Sequence, residues 1–283
     1  MDLSKLAKKK KLKAIKEPKM VELYYYKQLK AIAKEMENDV RKELYPILSE
    51  AKITTDNNPL VTLGVLERLR GKWKKIDFIA KNISNTFVNK LNSANKQRFL
   101  KSVNTGLGVD IETMVSEKGL NSIVALQRQK NEVLIKSIPE EFFKGIEIEI
   151  QNGISNGLRP EQIQKNISGI KGINSNFGKL ENRIKMIARQ ETAVINSQLT
   201  RARYESAGVD IYEWSTSEDE RVRKSHSALN GKICKMNDDT VYADSIEDAK
   251  KGKWKKRSSI GAVELSPSID WNCRCTRLPR FID

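Results

Sequence analysis

The stretch IARQETAVINSQLTRARYESAG, residues 187–208, leads into VDIYEWSTS (209–217) and EDERVRKSH (218–226), and is answered far downstream by DWNCRCTRLP (270–279). The first piece reads as a helix. Ile184, Ile187, Ala188, Val194, Ile195 and Leu199 form one apolar face over Glu181–Ala207. Gly208 is placed to end that helix in a left-handed cap. Val209 to Glu213 alternates apolar and polar residues and ends on Trp214, which predicts a strand. Ser217 with Glu220 three residues later has the spacing of a capping box, so a second helix is expected over Glu218–His226. Residues 235–260 read as polar and irregular, and Ser266–Pro279 as extended. Together these pieces describe a small α+β unit with a long irregular loop.

Working towards the start of the chain, the pattern becomes helical almost throughout. Leu23, Tyr26, Leu29, Ala33, Met36 and Val40 place one apolar face on a helix over Met20–Leu48, with Pro46 expected to end or kink it. Val65, Leu69, Trp73, Ile76, Ile79 and Ile83, then Phe87, Leu91 and Phe99, continue a stripe over Leu60–Asn104, and Gly106 and Gly108 break it. A further helical stretch covers residues 110–145, with Pro139 opening a new segment. Pro160 sits at a favourable first-turn position, and Gly169 and Gly172 loosen the chain after that short helix. The fold expected is therefore α+β: an elongated, mostly helical domain over residues 20–177, then the α+β domain over 178–283. A basic arm over residues 1–19 precedes both.

The chain of 283 residues carries 52 Lys and Arg against 36 Asp and Glu, a formal net charge of +16. Such a surplus points to a polyanionic partner, double-stranded DNA above all, or to an acidic protein surface. Two clusters stand out: Lys8, Lys9, Lys10 and Lys11, and the group Lys250, Lys251, Lys253, Trp254, Lys255, Lys256 and Arg257. In the second, lysines would meet phosphates while the indole offers a stacking face. A solvated basic loop is the plain reading of the same residues. No apolar run approaches the roughly 18–20 residues that a membrane span requires, so no membrane partner is expected.

Three cysteines and one histidine allow one metal reading. His226, Cys234, Cys273 and Cys275 are the residue types of a structural zinc site, three thiolates and an imidazole. The single residue between Cys273 and Cys275 is shorter than the spacing usual in zinc knuckles. A buried histidine beside inert thiols fits the same residues. Arg189, Glu191, Asp219, Arg221 and Arg223 form a second constellation, expected to pair across the junction between helix and turn and to pin one on the other.

In order and separation, Ile187 to Thr192, then Tyr212-Glu213-Trp214, Asp219 to Arg223, His226, Asn230-Gly231, and Cys273-Arg274-Cys275 with Pro279 resemble the phage head-morphogenesis, or minor head, family typified by the Mu F-like proteins. The resemblance covers the C-terminal part of the chain directly. It carries His226 and the Cys-Arg-Cys element more firmly than Cys234. It implies a low-copy virion component assembled in the host cytoplasm. Its expected place is the capsid interior near the portal, with portal, major capsid or scaffold protein as partner and a part in DNA packaging or delivery. No catalysis and no cofactor are implied, a structural zinc apart. The alternative is a nucleic-acid-binding enzyme, either a zinc nuclease or an ADP-ribosyltransferase-like toxin. Against the toxin, Ser215-Thr216-Ser217 and Glu218-Asp219-Glu220 are contiguous, whereas a transferase needs them on separate strands.

Overall fold

The structure, a computed structural model, describes residues 12–50, 58–108, 119–169 and 175–280. Long helices and one small antiparallel sheet make it an α+β protein. The helices are α1 (Lys19–Asp39), α2 (Tyr45–Glu50), α3 (Asn58–Trp73), α4 (Asp77–Leu107), α5 (Leu120–Ser155), α6 (Pro160–Ser168) and α7 (Asn176–Ser206). After them come β1 (Ile211–Ser215), α8 (Lys224–Ser227), β2 (Ile233–Lys235), β3 (Val241–Ala243), α9 (Ile246–Lys250), β4 (Lys255–Lys256) and β5 (Thr276–Arg280). Among the described residues no helix is long and apolar enough to cross a membrane.

Two compact units divide the chain. The helical unit is Glu22–Phe87 with Arg128–Arg189; the sheet unit is Met1–Val21, Val88–Gln127 and Gln190–Asp283. These limits differ from the boundaries expected at residues 19/20 and 177/178. The reason lies in one apolar cluster, where Leu12, Ile15, Phe99, Val103 and Leu107 pack with Tyr204, Tyr212, Trp214, Cys234, Cys273 and Cys275. The small sheet does not enclose its own core, and side chains from two earlier segments complete it.

Within the helical unit the apolar periodicity holds but its phase shifts. Tyr25 is fully buried and Leu23 is exposed. Tyr25 stacks on Phe87 with ring centroids 3.8 Å apart, and its hydroxyl donates to Asn131 Oδ1 at 2.9 Å. Pro46 does not end the helix. A π turn over Val40–Leu44 precedes it, and the wider turn accommodates a residue that cannot donate to the carbonyl four positions back. Pro139 likewise lies inside the continuous α5 rather than at the start of a new segment.

In the sheet unit, α7 ends as expected before Gly208, whose φ is 75°, and Val209 N–H closes the turn on Tyr204 O at 2.9 Å. The sheet runs β4-β3-β2-β1-β5, with every neighbouring pair antiparallel. Alternation along β1 sends Tyr212 and Trp214 into the larger cluster, while Ile211 joins Ile233, Ala243 and Ala249 on the opposite face. Burying an apolar side chain of that size contributes about 1.5–3 kcal/mol. The segment expected to be irregular thus holds β3, β4 and the end of β2, with α9, which Ser245 caps by accepting from Asp248 N–H. Strands of two or three residues are too short to display an alternating pattern in sequence.

Candidate functional site

The helix expected over Glu218–His226 is absent. Glu218 sits in the left-handed region at φ 54°, which interrupts any helix that Ser217 could start. Asp219 instead builds a turn by accepting from Arg221 N–H at 3.1 Å, and helix resumes only at α8. Asn230 holds this turn from the far side, accepting from Thr216 N–H at 3.0 Å and donating to Glu218 Oε1 at 3.2 Å. The result is a short α8 whose buried His226 side chain points into the sheet unit's core, edge-on to Trp214 with centroids 5.9 Å apart.

There it meets the Cys-Arg-Cys element. Nδ1 of His226 lies 3.4 Å from Cys273 Sγ and 3.5 Å from Cys275 Sγ. Nε2, on the other side of the ring, lies 3.0 Å from Asp270 Oδ2. Cys275 N–H donates to Cys273 Sγ at 3.4 Å. The interaction with Cys275 lowers the pKa of Cys273, and the same interaction together with burial raises the pKa of Cys275. Burial works against ionisation of Asp270, but hydrogen bonds from His226 and Trp271 N–H and the Arg223 charge outweigh it and lower its pKa.

Residues 266–275 have no ladder partners and are held by side chains. Gln190 on α7 donates to Ile269 O at 3.2 Å and Asp270 O at 3.3 Å, and accepts from Asn272 N–H at 2.9 Å. Two turns on, along the same helix face, Ser197 donates to Pro267 O. Arg277 anchors β5 by donating to Ser197 O at 3.1 Å and Ser197 Oγ at 2.6 Å. On the outside, Arg274 pairs with Asp219 in two-point geometry at 2.5 and 2.6 Å. Arg223 reaches Asp270 Oδ2 at 3.0 Å and Trp271 O at 2.7 Å.

The structure sorts the residues expected from sequence. His226, Cys273 and Cys275 come together, all buried, with their ligand atoms within 4.8 Å of one another. Cys234 is not in that group. It lies opposite Tyr212 in the ladder, one pleat repeat along β1 from the Trp214 that His226 packs against. Its thiol is pushed up to about 11 by burial, with Arg257 and Tyr212 beside it. Of the ion-pair set, Asp219 and Arg223 pair with Arg274 and Asp270, so they fasten the turn to the C-terminal segment and not to α7. Arg221 contributes its main-chain N–H and its nearby charge to Asp219. Arg189 is exposed on α7 and forms no ion pair among the described residues, and Glu191 is buried on the same helix.

The proposed nucleic-acid contacts separate in the same way. Lys250, Lys251, Lys253, Lys255 and Lys256 are exposed, and Lys255 is engaged by Asp244. Arg257 is not a surface residue. It is fully buried and donates to Val241 O, Val263 O, Leu265 O and Tyr212 Oη. Trp254 is half-buried against the cluster of Ile211, Ile233, Ala243 and Ala249, and Lys235 Nζ lies 4.7 Å from its ring centroid, so its stacking face is partly taken. Lys8 to Lys11 lie outside the described residues.

Thiol, imidazole and carboxylate in this order can do one of two things. They can hold a soft divalent cation, or they can relay a proton from an attacking thiolate. Both thiols are buried, Cys273 at 8% exposed and Cys275 at 3%. Sequence reading missed Asp270, Gln190, Ser197 and Arg277. The signals were present in Asp270, three residues before Cys273, and in Gln190 inside the helix motif, but a hydrogen bond spanning 79 or 80 residues leaves no local pattern.

Residues 144–278 match the family model described as Phage Mu protein F like protein. Over these residues the chain is similar to the Mu F-like family. The match takes in α6, α7, the ordered motifs from Ile187 to Cys275 and the His226–Cys273–Cys275 cluster. A Haemophilus influenzae protein described as uncharacterized is 29% identical over 282 residues, covering 96% of this chain and 56% of its own length. The chain thus spans about half the length of that relative. No solved structure matches it.

Proposed function

We propose that this protein is a minor head component of a phage, present in few copies in the capsid interior near the portal and acting in head assembly with DNA packaging or delivery. The observation that carries the reading is the family match over residues 144–278, which includes every motif residue gathered around His226. Portal protein, with major capsid or scaffold protein, is the partner this role calls for. Double-stranded DNA is the second partner, supported by the net charge of +16 and the exposed lysines between 250 and 256. The role is structural and asks for no catalytic step.

The test is location. Purified procapsids and virions should contain the chain at low copy relative to the major capsid protein, and portal protein should copurify with it. Its absence from both particles would overturn the reading, as would metal-dependent cleavage of DNA by the purified chain. DNA binding is checked separately by affinity across a salt series. Affinity should fall steeply with salt, and exchanging Lys251, Lys253 and Lys256 for Glu should reduce the slope by about one for each phosphate no longer neutralised. Binding that is indifferent to salt would remove DNA from the partners.

A further inference from the structure

We infer that His226 Nδ1, Cys273 Sγ and Cys275 Sγ are three ligands of one zinc ion, with Asp270 as the group that orients the histidine and Cys234 excluded. This goes beyond the head-assembly reading and does not depend on it. The argument begins with the imidazole. Asp270 accepts at Nε2, 3.0 Å away, and so fixes the ring proton there. Nδ1 is left with a single lone pair facing two sulfurs, at 3.4 and 3.5 Å. One lone pair can accept a hydrogen bond from one thiol, not from two at nearly equal distance. A cation between the three atoms satisfies all of them.

The separations fit zinc. Bonds of about 2.3 Å to sulfur and about 2.0–2.1 Å to nitrogen, in tetrahedral arrangement, place sulfur and nitrogen about 3.5 Å apart. Two soft thiolates with one imidazole select zinc over hard cations such as magnesium or calcium. The surroundings suit thiolates as well. Cys275 N–H is directed at Cys273 Sγ, and the buried Trp214 indole N–H has no hydrogen-bond partner of ordinary geometry among the described residues. Asp270, His226 and the metal would form the carboxylate–histidine–zinc arrangement in which the carboxylate sets tautomer and ring orientation.

The consequence is a tie. His226 and the two cysteines are 47 and 49 residues apart in sequence, and the intervening chain returns to them through a segment without ladder hydrogen bonds. Gln190, Ser197, Arg223 and Arg274 hold that segment from its edges, and the metal would hold it at its centre.

The experiment is elemental analysis of the full chain purified without chelator, together with thiol counting. One zinc per chain is expected. Zinc should persist in Cys234→Ala and be lost in Cys273→Ser/Cys275→Ser. Should the double variant not fold, the native chain still decides the matter: chelator should release the zinc and make two of the three thiols newly reactive. Cobalt(II) loaded in place of zinc should give the intense absorption of a tetrahedral thiolate site. A zinc-free preparation with all three thiols intact would overturn the inference. So would a disulfide between Cys273 and Cys275, or zinc unaffected by their replacement. Iron or copper at stoichiometric level would overturn the choice of metal.

Discussion

The helical unit and the sheet unit are stabilised by different kinds of contact. In the helical unit polar contacts lie mainly at the surface: Arg68 with Glu43, Lys72 with Asp39, Lys136 with Asp77 and Lys30 with Glu181, over apolar faces that meet inside. Exposed pairs of this kind are each worth about 0–1 kcal/mol, so packing carries the stability. The sheet unit buries charge. Arg203, Arg257 and Arg277 are 0%, 0% and 5% exposed, and each guanidinium is spent on side-chain or main-chain oxygens. The difference follows from how much backbone each unit leaves outside regular structure. A helix satisfies its own carbonyls, whereas the loops around 257–275 have to borrow donors from distant side chains.

The largest expected effect tests whether the sheet unit is self-contained in sequence. A fragment of residues 178–283 lacks Leu12, Ile15, Phe99, Val103 and Leu107, which line its core. It should show no cooperative thermal transition. A sharp transition in that fragment would mean the strands and α7 enclose a sufficient core without the earlier segments.

Two single substitutions sharpen the contrast of contact types. Arg257→Ala removes the donor to three carbonyls and to Tyr212 Oη inside the sheet unit, and should cost about 3–5 kcal/mol. Phe143→Leu, at a fully buried position of the helical unit, should cost about 1–1.5 kcal/mol, because neighbouring apolar side chains can partly close the gap. Denaturant midpoints of the full chain measure both. Equal costs would remove the distinction.

The smallest effect is a pH dependence within the helical unit. The Tyr26 hydroxyl at 2.6 Å, with Lys185 and Lys30 alongside, lowers the Glu181 carboxyl from 4.5 to about 2 despite partial burial. A depressed carboxyl contributes stability that is present above its unfolded value and lost as pH falls through the folded one. The stability difference between wild type and Glu181→Gln should therefore be flat above about pH 5 and shrink between pH 4.5 and pH 2. A difference that stays constant across that window would show that Glu181 gains nothing from its partners.

Sequence and structure agree where the signal is local. Gly208 ends α7, the apolar and polar alternation after it makes β1, and Gly108 follows the end of α4 at φ 73°. The same local rules misled wherever a distant residue held the casting vote. Leu23 and Tyr25 satisfy the helical period almost equally well, and the Phe87 ring decided which of them turned inward. Ser217 and Glu220 have capping-box spacing, but Asp219 is engaged by Arg274 from 55 residues away, and the segment folds as a turn. Arg257 belongs to a basic run and ends in the core because Tyr212 and the carbonyls of Val241, Val263 and Leu265 take its donors.

What the sequence determined by itself was the long elements and the cast of reactive side chains: long amphipathic helices, one strand after Gly208, a single histidine and three thiols. Periodicity and capping act over a few residues, and they can be read without a fold. Which thiols meet the histidine was decided only in three dimensions. The β1–β2 register sets Cys234 against Tyr212, and the Gln190 clamp carries Asp270, Cys273 and Cys275 to His226. Chain entropy makes such encounters costly to arrange, so they occur where a packed core has already brought the segments together, and no spacing rule along the chain records that.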